Sequence, residues 1–187
     1  MTWDPVHDSR STFLACMHAL CSPGTPFELP QTPDMTDRPE LDRAAAVLLA
    51  LLDRGLGLAI HGGDAAAQVA AAARTATGAD STDLGAADWV LVDGPPAPAI
   101  VHARRGTPTN PESSATLVIA STGPTRPVRL AGPGLREPVT HRIPLDELAQ
   151  QALVVANQNP PMGLDIFIVT PDCLIGLPRS VSLQAVA

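Results

Sequence analysis

The stretch Ala115-Thr116-Leu117-Val118-Ile119-Ala120-Ser121 is a nearly continuous apolar run rather than an alternating one. An alternating strand has one wet face, whereas a continuous run marks a strand covered on both faces. Helices are therefore expected on both sides of a sheet that has this segment near its centre. Around it, strands are read at Gly57–His61, Asp88–Asp93, Ala99–Ala103 and Pro127–Ala131, all short and rich in apolar residues. Residues Ser9 to Cys21 place Phe13, Cys16, Met17 and Leu20 at helical spacing before Ser22-Pro23-Gly24 stops the helix. Leu41 to Asp53 reads as a buried Ala/Leu helix ended by Gly55 and Gly57. Asp64 is expected to cap a third helix running to about Thr77. A further helix is expected from about Pro144 to Asn157, with proline in its first turn. Twenty Pro and fourteen Gly divide the chain into many short elements, which favours a mixed α/β domain over a helix bundle.

The segment Pro160 to Leu183, PPMGLDIFIVTPDCLIGLPRSVSL, reads as a buried hairpin around a Thr-Pro-Asp turn, with one charge in each arm. A turn centred on Pro171 sets Asp165 opposite Leu177, with Arg179 one diagonal step away on the same face. A carboxylate between Leu164 and Ile166 needs a partner, and Arg179 is the expected one. A slip of one residue would carry Arg179 to the other face, so the pairing depends on register.

At 187 residues the chain is read as one domain, residues 1–187, able to bury a core without disulfides or metals. The net charge of −7 arises from 12 Arg, no Lys and 19 acidic residues. Broad attraction to nucleic acid or to an anionic membrane is not expected from that balance. Without lysine the chain has neither a Schiff-base nucleophile nor the lysine of a phosphate-binding P-loop. Cys16, Cys21 and Cys173 are odd in number and form no CxxC pair, so they are read as reduced thiols. No apolar leader or span of about 20 residues is seen, and a cytoplasmic location is expected.

Individual motifs carry limited chemistry. The two glycines of Gly132-Pro133-Gly134 allow a tight turn, or a close approach of the backbone to another chain or an anion. Arg104-Arg105 offers two adjacent guanidinium groups in a loop, suited to bidentate phosphate contact if they are not simply solvated. His61-Gly62-Gly63-Asp64 is a strand-to-helix turn whose acidic residue opposes an anion at the helix N-terminus. His7, His18, His61, His102 and His141 include no HxH or HxxxH pair, so no metal site is expected. Cys16 shares the apolar face of its helix and reads as a packed core thiol.

Four blocks line up with one family. They are Phe13 through Ser22-Pro23-Gly24; Gly106-Thr107 to Pro111-Glu112 with Ala115-Thr116-Leu117; Leu130-Ala131-Gly132-Pro133-Gly134-Leu135; and Pro161-Met162-Gly163-Leu164-Asp165 with Leu177-Pro178-Arg179. In this order and spacing the chain resembles PhnH, a subunit of the bacterial carbon-phosphorus lyase system for phosphonate breakdown. Family members tend to carry arginine where this chain has Leu14. The resemblance implies a three-layer α/β/α sandwich with a mixed sheet, similar to the fold of pyridoxal-phosphate-dependent transferases but without the cofactor site. It further implies a homodimer in isolation and a complex with PhnG, PhnI, PhnJ and PhnK. The implied reaction joins a phosphonate to C1 of the ribose of a nucleoside triphosphate and displaces the base. Within that complex the resemblance points to PhnI as catalytic, with PhnH required but without an assigned chemical role.

Three classes of function follow. The first is an assisting subunit of a phosphonate-activating transferase that acts through protein interfaces and needs no cofactor or metal. The second is an autonomous small hydrolase using Cys or His. The third is a phosphonate- or nucleotide-binding module in which Arg104, Arg105, Arg129 or Arg179 meets the phosphates. Candidate ligand-binding residues are Arg104, Arg105, Gly132, Gly134, Asp165 and Arg179; no catalytic set is identified.

Overall fold

The computed structural model describes residues 3–185. In chain order its elements are α1 (His7–Cys21), β1 (Pro26–Phe27), α2 (Pro39–Leu51), β2 (Gly57–His61), α3 (Asp64–Thr77), β3 (Asp80–Ser81), β4 (Trp89–Asp93) and α4 (Ala97–His102). A 3-10 turn at Pro111–Ser113 follows, then β5 (Thr116–Ala120), β6 (Arg126–Ala131), β7 (Val139–Ile143), α5 (Glu147–Ala156), β8 (Asp165–Val169), β9 (Leu174–Leu177) and β10 (Ser182–Ala185). The main sheet has seven strands in the order β1-β9-β8-β5-β4-β2-β3, and a smaller antiparallel sheet runs β10-β6-β7. Neighbours from β8 through β3 pair in parallel, whereas β9 runs against both of its neighbours. The chain is thus a mixed α/β protein with a mostly parallel main sheet.

β5 is the middle strand, and its alternate residues feed two separate cores. Leu117 and Ile119 pack with Val90, Val92, Ile166 and Ile168, with Ile100 of α4, Leu153 of α5 and Leu130 of the small sheet. Val118 and Ala120 pack with Leu91 and Phe167, and with Cys16, Leu48 and Val69 of α1, α2 and α3. Both faces are dry, so no position between Leu117 and Ala120 needs to be polar.

Several expected elements differ. Ala99–Ala103, read as a strand, lies mostly within helix α4: prolines in the first turn preset helical φ, and Ala99, Ile100 and Ala103 fall on one buried face. Pro127–Ala131 is a strand as expected, within β6 of the small sheet. α5 begins at Glu147, not Pro144, because the Asp146 carboxylate accepts the Ala149 N–H and sets the boundary there. Gly63, not Asp64, occupies the N-cap of α3, and Asp64 lies in its first turn. β1, β3, β7 and β10 were not anticipated; two of them are only two residues long.

Cys16 is 2% exposed, and burial pushes its thiol from the ordinary 9.0 up to about 12. The folded state therefore keeps a proton that the unfolded chain releases above about pH 9. This contribution is fully present below pH 9 and declines as pH rises towards 12, by up to about 1.4 kcal/mol per unit. Neither Lys nor Tyr is present to titrate in that window. Urea unfolding at about pH 8 and pH 10.5 should show an alkaline decline that Cys16→Ala flattens. An equal decline in the variant would remove Cys16 as its source.

Candidate functional site

Two places on the main sheet hold the charged side chains of interest, one at each end of its parallel strands. The first lies at the amino ends of β5 and β8. The hairpin loop is closed at Thr170, whose N–H donates to the Cys173 carbonyl at 2.9 Å and whose Oγ1 accepts the Cys173 N–H at 3.0 Å. This loop pairs Ile166 with Leu177, one residue out of the expected register of Asp165 against Leu177. The Asp165–Arg179 pair forms nonetheless. β9 ends at Leu177, and a turn closed by the Val181 N–H on the Pro178 carbonyl at 3.0 Å carries Arg179 back to Asp165.

There the Arg179 backbone N–H donates to Asp165 Oδ1 at 2.8 Å and its Nε to Oδ2 at 3.0 Å. One guanidinium nitrogen donates to Asp165 Oδ2 and the other to the Pro111 carbonyl. The two side chains are only 22% and 19% exposed. Arg179 thus ties the strand end to the 3-10 turn. Nearby, the Gly163 N–H donates to the Arg105 carbonyl at 3.0 Å. Gly132, at φ 138°, faces the Ser180 carbonyl, which a Cβ would meet at 2.9 Å. Gly134, at φ 87°, faces the Cys21 carbonyl at the end of α1. The close approaches of both glycines are to this chain's own backbone.

Asp165, Arg179, Gly132 and the Arg105 backbone are therefore brought together. Arg104 is directed elsewhere, to the Asp88 carboxylate, whose Oδ2 also accepts the Gly57 N–H at 2.7 Å. Among the described residues the Arg105 guanidinium makes only a 3.4 Å bond to the Val101 carbonyl. Asp165→Asn, which keeps the shape and removes the charge, should cost about 1–3 kcal/mol, the low end reflecting residual solvent exposure. Chemical denaturation measures this; an unchanged midpoint would mean that the pair contributes nothing to stability.

The second place lies at the carboxyl ends. After β2 the chain enters α3 on one face, and after β4 it enters α4 on the other. Beside this divergence a crevice lies at the carboxyl ends of β4 and β5, lined by Asp93, Pro96, Ala120 and Ser121. Arg38, the residue before α2, reaches into this region. Its Nε donates to Glu40 Oε1 at 2.8 Å, and its two terminal nitrogens donate to Asp93 Oδ2 and Oδ1 at 2.8 and 2.7 Å. The two carboxylates, Asp93 first, hold its pKa well above the ordinary arginine value. Glu40 is 3% exposed.

The loop before Arg38 is fixed in turn. The Asp42 carboxylate accepts the Thr36 N–H and hydroxyl, each at 2.9 Å, and Thr36 Oγ1 accepts the Arg38 N–H at 3.0 Å. Beside Arg38 lies a hollow of about 360 Å³, walled by Asp93, the Ser121–Pro124 loop, Arg126, Pro144 and Asp146. It shares Ser121, Thr122, Gly123 and Pro144 with a second hollow of about 630 Å³ that includes His141, Arg142 and Cys173. Sequence reasoning missed Arg38, Glu40 and Asp93. The available signal was Asp37-Arg38-Pro39-Glu40 at a helix start, together with an aspartate closing the strand before Gly94-Pro95-Pro96.

The chemistry on offer is hydrogen-bond donation from held guanidinium groups and loop hydroxyls. Among the described residues no group of three or more His, Cys, Asp or Glu side chains could hold a metal ion, and no helix is long and apolar enough to cross a membrane. Residues 2–184 match the family model described as bacterial phosphonate metabolism protein (PhnH). No curated protein matches the chain in sequence.

Proposed function

Because the chain belongs to the PhnH family of bacterial phosphonate metabolism proteins, we propose that it works as a subunit of the carbon-phosphorus lyase core complex. In this reading it assists transfer of the ribose 5-triphosphate group of a nucleoside triphosphate onto an alkylphosphonate, with release of the base. Its partners are PhnG-, PhnI-, PhnJ- and PhnK-type subunits, and on its own it forms a homodimer. The proposal includes a three-layer α/β/α sandwich similar to the pyridoxal-phosphate-dependent transferase fold without its cofactor site; the two cores on opposite faces of the sheet support that layering.

Family membership over nearly the whole chain is the observation that carries the proposal. The surface supports it. Phe13, Leu14 and Met17 of α1 are 48%, 37% and 42% exposed, and Val101, Leu148 and Val155 on α4 and α5 are at least half exposed. Clustered apolar side chains of this kind mark association surfaces. At the amino ends of β5 and β8, Asp165, Arg179 and the Pro111 carbonyl satisfy one another, which suits a structural clamp.

Co-purification of a tagged chain with its neighbouring gene products, followed by an assay of base release from ATP and methylphosphonate with and without the chain, tests this directly. Stoichiometric partners and activity that needs the chain are the expected result. Failure to bind partners, or turnover by the isolated chain, would overturn it.

A further inference from the structure

Arg38 is positioned far more elaborately than a surface arginine requires. Two carboxylates grip its guanidinium, a third fixes the loop that precedes it, and its side chain remains 37% exposed on the wall of the carboxyl-end crevice. Three of its N–H donors are taken, and the rest of the guanidinium fork is open to a ligand. An arginine locked by partners of this kind is a pre-organised donor. Arg126 lines the same hollow, and among the described residues its side chain has no hydrogen-bond or salt-bridge partner. Thr122 and Gly123 contribute a hydroxyl and a backbone segment to the wall, and Pro95, Pro96, Pro124 and Pro144 add rigid, largely apolar surface.

Charge limits what fits. Arg38 and Asp93 are paired directly on the wall of the hollow, and Arg126 and Asp146 also line it, so the lining is formally balanced, with Asp146 engaged as a helix cap. A polyphosphate would bring several negative charges against Asp93 and Asp146, whereas one small oxyanion can be met by the two guanidinium groups alone. The family's metabolic context supplies an anion of that kind. We infer that the crevice between Arg38 and Arg126 is a binding site for a single tetrahedral oxyanion head of the phosphonate or phosphate class. Arg126 is its unpaired cation and Arg38 its fixed donor. This moves the ligand-binding role from Arg104 and Arg179, each engaged with a carboxylate, to two residues that sequence reasoning passed over.

The inference rests on family membership but not on assembly with partners, so it is tested on the isolated full chain. Calorimetric titrations with methylphosphonate, inorganic phosphate and ATP are run on the parent protein and on Arg126→Ala and Arg129→Ala. Arg129 removes the same charge from the same strand outside the crevice. Saturable binding of methylphosphonate or phosphate is expected, weakened at least about tenfold by Arg126→Ala and unchanged by Arg129→Ala. Preference for methylphosphonate would assign the head to a phosphonate with its methyl group on the proline wall; preference for phosphate would assign it to a phosphate group. The inference is overturned if neither ligand binds, if both variants weaken binding alike, or if ATP binds more than tenfold tighter than phosphate. Thermal unfolding of Arg126→Ala establishes that the variant is folded, and Arg38→Lys, which keeps the charge but not the fork, should weaken binding as well.

Discussion

Replacement of Gly176 by alanine is expected to destabilise the protein by about 3 kcal/mol or more. Gly176 lies in β9 where α1 crosses the sheet, and an added Cβ would sit 2.5 Å from the Ala19 carbonyl carbon, 2.6 Å from its oxygen and 2.8 Å from the Leu20 nitrogen. These are backbone atoms of a helix, so no rotamer change relieves the overlap. Either α1 moves off the sheet or β9 bends, and both routes disturb packing that includes Cys16 and Leu174. The Gly24 N–H, which donates to the Gly176 carbonyl at 3.0 Å, would be displaced with the strand. For a chain of this size the loss corresponds to a fall in Tm of roughly 6–12 °C. Trimming Ala19 to glycine should not restore stability, because the overlap is with main chain. A Tm within about 2 °C of the parent would show that the helix can retreat at little cost.

Arg38→Ala is expected to cost about 2–4 kcal/mol through a different mechanism. Removing one partner of a buried ion pair leaves the other charge uncompensated. Here two carboxylates lose their counter-ion, with side chains 4% and 13% exposed for Glu40 and Asp93. The partial exposure of Arg38 lets water reach the vacated space and places the estimate below the largest values for buried pairs. Introducing Glu40→Gln into the same background should recover part of the loss, since it removes one of the stranded charges. Denaturant unfolding of the two single variants and the double variant gives the coupling energy. A coupling near zero would mean that Glu40 does not depend on Arg38 for its burial.

The parts of the fold that were legible share a physical origin. β5 was readable because burial on both faces leaves a direct trace in composition, and α1 because Cys16 and its neighbours repeat at helical spacing. α4 was misread because a six-residue helix of Ala, Pro, Ile, Val and His lacks the length that separates helix from strand. The Asp165–Arg179 pair was inferred through a register that proved one residue out. It forms because Pro178 and the turn after it, rather than strand pairing, deliver the arginine.

By itself, the sequence determined the family, the α/β class, a sheet covered on both faces, and the absence of any lysine-based chemistry. These follow from composition, local periodicity and motifs, which need no knowledge of distant neighbours. Only the tertiary structure decided that Gly176 must stay bare beneath α1, and that Arg38 meets Asp93 across 55 residues of chain. It alone placed Arg126 on the same hollow as Arg38. The reason is that a side chain's charge partner and the space around a backbone are set by which segments pack together, and long-range packing leaves no periodic mark on the residues that it joins.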